Sequence, residues 1–205
     1  MAHSGSGFGV DVGSKPKNGE ARHLCVDIKA LAQSFKFLYD NLDGFKIKEK
    51  VDEEGIHKYI NRCALMAAGT GVAAGSGGGL TLAIGIPADL INSVIQQFKV
   101  TLAVIYHKTG RYKVTFPEFM KIVGVSLGVE VGANSLNIIL TKIATEIAKR
   151  LTARSAGKLI PLVGAVVGGG VNYAFIKGLG ATLLALDEKI FTSTLGPEDP
   201  RELTA

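Results

Sequence analysis

Small residues recur every four positions in three places: Ala67, Gly71, Gly75, Gly79 and Ala83; Gly124, Gly128 and Gly132; and Gly164 with Gly168. Residues four apart share one face of a helix, so each series marks a side-chain-poor strip where a second helix backbone can come close. Such strips are the usual contact surface between helices in membranes. In water they are costly, because a glycine inside a helix is roughly 1 kcal/mol worse than alanine. Three of them in one chain point to a fold built on close helix–helix approach. Glycine makes up 26 of 205 residues, about 13% against a usual ~7%, and it is concentrated in these apolar runs.

The first series lies in a stretch without charge from Cys63 to Ala88, long enough to cross a bilayer. A second uncharged run, Leu159 to Ile176, is bounded by Lys158 and Lys177. Both are weakly hydrophobic for their length, mostly Gly and Ala with Thr70, Ser76, Thr81 or Asn172. Glu130, inside the segment of Gly124, Gly128 and Gly132, would be costly in a bilayer interior. A soluble or peripheral bundle and a conditionally inserted hairpin both fit this pattern. A dinucleotide site does not. Gly69, Gly71 and Ala74 match a relaxed GxGxxA, and Asp89 lies where a ribose-binding acid belongs. The helix that such a turn must launch would be "VAAGSGGG", too short and too rich in glycine.

The rest of the body has helical period. Ile28, Leu31, Phe35, Leu38 and Leu42 form an apolar stripe, with Gly44 expected as its stop. Ile56, Tyr59, Ile60 and Cys63 share the next face, behind Asp52–Glu54 at an expected helix N-terminus. After Pro87, Leu90, Ile91, Val94, Ile95, Phe98, Leu102 and Ile105 form a wide stripe ending near Gly110. Thr115 and Glu118 have capping-box spacing. Leu136, Ile139, Leu140, Ile143, Ala144, Ile147 and Leu151 face away from Lys142, Glu146, Lys149, Arg150 and Arg154, and Gly157 ends that helix. The best strand candidate, Tyr112–Phe116, is short and isolated. The chain is therefore expected to be all-α: a helical domain over 23–193 with about six to eight helices, a polar disordered leader over 1–22 and a disordered polar tail over 194–205.

Chemistry is sparse. The leader lacks the apolar core of a secretory signal, and Ala2 occupies the position where myristoylation needs Gly. Cys25 and Cys63 form no CxxC pair and read as ordinary buried cysteines in a reducing, cytoplasmic setting. His3, His23, His57 and His107 have no ligand-spaced partners, so no metal or other cofactor is expected. No nucleophile-elbow or zincin motif occurs, and Asp187–Glu188 reads as a helix start or solvated face. The net charge of +5 favours anionic partners, but its basic residues are spread among acids without interleaved aromatics, which argues against nucleic acid.

"GKLIPLVGAVVGGGVNYAFIKGLGATLLA" (Gly157–Ala185) resembles the hallmark segment of the EcsC protein family, on Pro161, Val163, Gly164, Ala165, Val167, Gly168, Gly169, Asn172, Tyr173 and Phe175. The upstream "GIPADLINSVIQQFKVTLAVIYHKTG" resembles the family's second landmark, with "HKTG" in place of the more usual aromatic–Gly ending. The resemblance covers roughly Ile60 to Phe191 and implies a helical, membrane-associated protein without catalytic residues to carry over.

The leading expectation is thus a non-enzymatic protein at the membrane, peripheral or conditionally inserted. Lys142, Lys149, Arg150, Arg154 and Lys158 would meet anionic headgroups, and Gly71, Gly75, Gly79, Gly124, Gly128, Gly132, Gly164 and Gly168 would pack helix on helix. A homo-oligomer or a membrane-protein partner fits the same picture. Asn172 and Tyr173, polar in an apolar run, must find partners between helices or on a ligand. The alternative is a soluble bundle holding a lipid or other apolar ligand in an interhelical pocket.

Overall fold

Asp27 opens the first helix, its carboxylate accepting from the Ala30 N–H at 3.0 Å. The computed structural model describes residues 27–69, 86, 88–132, 135–152 and 161–196, with side chains for all of these except 89, 151, 152 and 161–169. Within them lie eight α-helices: α1 (Ile28–Asp40), α2 (Ile47–Glu54), α3 (Ile56–Ala68), α4 (Ala88–Thr109), α5 (Phe116–Ser126), α6 (Leu136–Thr152), α7 (Pro161–Ala185) and α8 (Glu188–Thr194). A 3-10 turn at Asp43–Phe45 joins α1 to α2, and the described residues contain no strand. The leader, Cys25, Gly71, Gly75, Gly79, Arg154, Gly157 and Lys158 lie outside them.

The apolar stripes decide what packs on what. α4 is the axial helix, touching α2, α3, α5, α6, α7 and α8. Its expected stripe (Leu90, Ile91, Val94, Ile95, Phe98, Leu102, Ile105) is buried throughout. Phe98 anchors it, with ring centroids 5.6 Å from Phe35 of α1 and 5.1 Å from Phe119 of α5. α3 and α7 pack on each other and both pack on α4, while α6 lies against α1 and α5. Gly110, at φ 76°, ends α4 as its position after the stripe implies.

The capping box at α5 forms, and it also secures the far end of the chain. The N–H and hydroxyl of Thr115 both donate to Glu118 Oε2, at 2.9 and 2.7 Å, and the Gly196 N–H donates to Oε1 at 2.7 Å. Arg111 reaches the Gly196 carbonyl at 2.7 Å, and Leu195 is buried. The expected polar tail therefore begins later than 194, because Leu195 and Gly196 belong to the packed body. Burial pushes the Glu118 carboxyl up, but the hydrogen bonds from Thr115 and Gly196 outweigh it and hold the group below its usual value. Glu118→Ala is expected to cost about 1 kcal/mol at neutral pH, the usual worth of a cap. With a lowered native pKa, that contribution is present above the usual 4.5 and fades as pH falls through the native value. Urea denaturation at pH 7 and at pH 3 measures both; equal losses at the two pH values would refute the role of the ionised form.

Three local expectations are corrected, and the all-α reading holds through the short strand candidate. Gly128 and Gly132 do not continue a helical strip from Gly124. α5 stops at Ser126, and Gly128 (φ 71°) closes a Schellman turn in which the Val129 N–H donates to the Gly124 carbonyl at 2.8 Å and the Gly128 N–H to Val125 at 3.0 Å. Residues 111–115 form a strand-free link, tied down by the Tyr39 hydroxyl donating to the Val114 carbonyl. Gly44 sits in the 3-10 turn, and the left-handed residue before α2 is Lys46 (φ 50°). Asp52–Glu54 end α2, because the chain breaks at Gly55 (φ 80°). Side chains compensate there for the unfavourable dipole: Asp52 pairs with Lys48 and Glu54 with Arg62, each at 2.8 Å. Asp187, by contrast, is the expected helix start, capping α8 through the Lys189 N–H at 2.8 Å.

Candidate functional site

The basic helix α6 buries Ile139, Ile143, Ala144, Ile147 and Ala148 and turns an opposite stripe to solvent. Ile138, Lys142, Thr145 and Lys149 follow one another at four-, three- and four-residue steps, so they share that outward stripe. Ile138 is 48% exposed, and Lys142 and Lys149 are both exposed. Arg150 belongs elsewhere. Its Nε bonds Glu146 at 2.8 Å and its other nitrogen donates to the Leu127 carbonyl at 2.7 Å, neutralising the C-terminal end of α5. The i,i+4 Glu146–Arg150 spacing was the signal for that in the sequence.

The polar pair of α7 divides. The Tyr173 hydroxyl donates to Asn61 Oδ1 of α3 at 2.7 Å, an interhelix tie, while Asn172 is half-buried. Gly164 and Gly168 lie on α7. The closest glycine approach between helices among the described residues is at Gly180, where an added Cβ would stand 2.6 Å from Ile60 Cγ2 of α3. Gly180 continues the four-residue series of Gly164 and Gly168 by three further steps, through Asn172 and Ile176.

A second constellation was not expected from the sequence. The side of α4 that carries Asn92, Ser93, Gln96, Gln97 and Lys99 is as buried as its apolar side. Asn92 donates to the Met66 carbonyl at 2.9 Å and accepts from Gln96 at 3.2 Å, but Ser93 Oγ and both polar atoms of the Gln97 amide have no hydrogen-bond partner among the described residues. Lys99 is 4% exposed and pairs with no carboxylate among the described residues; its ammonium lies 4.7 Å from the centre of the Phe45 ring. The buried Cys63 thiol of α3 lies near enough to influence it electrostatically, and Tyr59 is one turn before Cys63 on α3. Tyr59 is fully buried, its hydroxyl beside the Cys63 thiol, and Arg62 stacks 5.1 Å over its ring.

Burial drives the electrostatics of this seam. It pushes the Lys99 ammonium down, Lys50 and Arg62 add repulsion, and Cys63 opposes them. It pushes the Cys63 thiol and the Tyr59 hydroxyl up. The thiol is accordingly an inert structural cysteine at neutral pH. Tyr112 beyond it is raised to about 12, again chiefly by burial. Tyr106, at the far end of the same α4 face, donates to Asp52 at 2.8 Å. An open groove of about 510 Å³ near α8 presents Lys108 and Glu188, opposite charges that partly cancel.

The class of protein this geometry defines is an all-α helical domain with one exposed basic stripe and one buried cationic seam. Among the described residues no helix is long and apolar enough to cross a membrane, and no group of three His, Cys, Asp or Glu could hold a metal. Comparison with protein-family models, with curated proteins and with solved structures yields no match.

Proposed function

We propose that the protein is a non-enzymatic helical protein that attaches to anionic membrane surfaces through α6, its glycine-rich helices packing closely or entering the bilayer. The observation that carries this reading is the outward stripe of Ile138, Lys142 and Lys149. One exposed aliphatic side chain beside two exposed lysines is the chemistry of an interfacial helix: the apolar group enters the headgroup boundary and the ammonium groups meet phosphates. The EcsC-like segment in α7 supports the same reading, and Arg154 and Lys158 extend the basic composition just beyond α6. Arg150 serves this function only indirectly, by fixing α6 against the end of α5.

The test is flotation of the whole protein with phosphatidylcholine vesicles and with phosphatidylserine-containing vesicles. Binding is expected on the anionic vesicles alone, weakening as salt rises. Lys142→Gln with Lys149→Gln should weaken it roughly 30-fold, at about 1 kcal/mol per basic residue near the surface. Ile138→Ser should weaken it further without changing its salt dependence. Undiminished flotation of the double lysine variant would refute α6 as the docking face. Carbonate-resistant flotation of the wild type would place the glycine-rich segments in the bilayer.

A further inference from the structure

We infer that the docking face extends from α6 onto α1, with Phe37 as a second apolar anchor in the same anionic lipid surface. Single exposed apolar side chains are ordinary. Among the described residues three large ones stand about half-exposed, Phe37, Leu65 and Ile138, and two of these lie on helices that pack against each other. Phe37, on α1, is 52% exposed. A phenyl ring left in water on the outside of a packed helix is unfavourable, and burial at a membrane interface removes that cost.

The order of side chains around each helix sets Phe37 and Ile138 on one side of the molecule. On α1, Lys36 and Tyr39 turn toward α5. The Lys36 ammonium lies 5.7 Å from the centre of the Phe116 ring, and the Tyr39 ring lies 5.4 Å from Phe116 and 4.9 Å from Phe119. On α6, Ile143 and Arg150 turn toward α5, at Gly124 and at the Leu127 carbonyl. Each helix has one further buried flank, made by Ser34 on α1 and by Ala144 and Ala148 on α6, and the contact between α1 and α6 falls to these small residues. Phe37 follows Ser34 by one turn; exposed Thr141 precedes Ala144 by one turn, and Ile138 stands one turn before Thr141. Outward from the contact, the surface therefore carries the phenyl ring on one helix and the aliphatic side chain on the other.

Charge selects the occupant. Asp27 is spent on the cap of α1 and Asp40 on Lys36, whereas Lys29, Lys142 and Lys149 are exposed. Two apolar groups among three lysines fit anionic headgroups. A second copy of the chain would set the same lysines against each other across a two-fold axis.

The inference rests on docking by α6, and single-tryptophan reporters separate the two, because the chain has no tryptophan of its own. Phe37→Trp, Ile138→Trp and, at an exposed position of α3, His57→Trp are each mixed with phosphatidylserine vesicles whose phosphatidylcholine carries brominated acyl chains. Quenching is expected for the first two and not for His57→Trp. In flotation of the full chain, Phe37→Ser should weaken binding about fivefold, the worth of part-burying one phenyl ring, with its salt dependence unchanged. Circular dichroism checks that the variants are folded. Quenching of Ile138→Trp without Phe37→Trp would overturn the inference and leave docking by α6 standing. Quenching of neither, with no flotation, would overturn both. Equal quenching of all three would show immersion without a docking face and would also overturn it. Sedimentation equilibrium without vesicles tests the other occupant: a dimer that Phe37→Ser dissociates would assign this face to a second copy instead.

Discussion

Gly180→Leu is expected to destabilise the protein by about 3 kcal/mol, and Gly180→Ala by about 1 kcal/mol, the upper and lower parts of the range for overpacking. At Gly180 the first carbon of any side chain would meet Ile60 Cγ2 at 2.6 Å, Cδ1 at 3.1 Å and Cγ1 at 3.3 Å. Ile60 has little room to yield: it is 3% exposed, and its branched Cβ holds χ1 in one preferred well on a helix. Alanine recovers roughly 1 kcal/mol of helix propensity, which is why its net cost is small. Leucine adds bulk without adding propensity. Gly178, two residues earlier on the same helix, has nothing within 4 Å of its added Cβ, so Gly178→Ala should gain about 0.5–1 kcal/mol. Urea titrations of the three variants give the comparison. In the Ile60→Ala background, Gly180→Ala should become stabilising, with a coupling of about 1–3 kcal/mol. If Gly178→Ala and Gly180→Ala behave alike, α3 and α7 do not meet at this glycine.

That contact marks where the sequence stops being informative. Leu31, Phe35 and Leu38 on α1, the stripe of α4, and Ile139, Ile143 and Ile147 on α6 are buried as their spacing implies, because helical period is a local property. The Thr115–Glu118 box is local as well, and it forms. Spacing alone, however, cannot distinguish a glycine in a packed strip from one that ends a helix. Gly124 and Gly128 are four apart, yet the second has positive φ and closes the turn, while beside the first the Val131 side chain occupies the space a Cβ would need. The partner of Gly180 is Ile60, remote in sequence, and no local pattern could name it. The buried seam was hidden for another reason. Projected on a helix, Asn92, Ser93, Gln96, Gln97 and Lys99 fall on one broad side of α4, which ordinarily means a solvated face. Only the elements packed on α4 bury it: Met66 of α3 meets Asn92, Phe45 of the 3-10 turn meets Lys99, and Asp52 of α2 meets Tyr106.

Lys99→Met should then raise stability by about 2 kcal/mol at neutral pH, within the range seen when buried charges give way to apolar groups of similar volume. A methionine keeps the unbranched stem, fills the same channel beside Phe45 and removes a cation that nothing in the described protein neutralises. The pH dependence identifies the cause. Burial lowers the native pKa of Lys99 from its usual 10.5, so between the native value and 10.5 the unfolded chain binds more protons. Stability from this group therefore rises with pH across that window, and below it the full penalty remains. Cys63 and Tyr59 act in the opposite sense. Their native pKa values are raised, so their ionisation in the unfolded chain lowers stability above about pH 9 for the thiol and pH 10 for the phenol. Those two groups, with Lys50, Arg62 and Glu54, are common to wild type and variant, so they largely cancel in the difference. The advantage of Lys99→Met should thus shrink steadily as pH approaches 10.5. Thermal or urea unfolding from pH 6 to 10 measures it, and a constant or widening gap would show that charge burial is not what Lys99 costs.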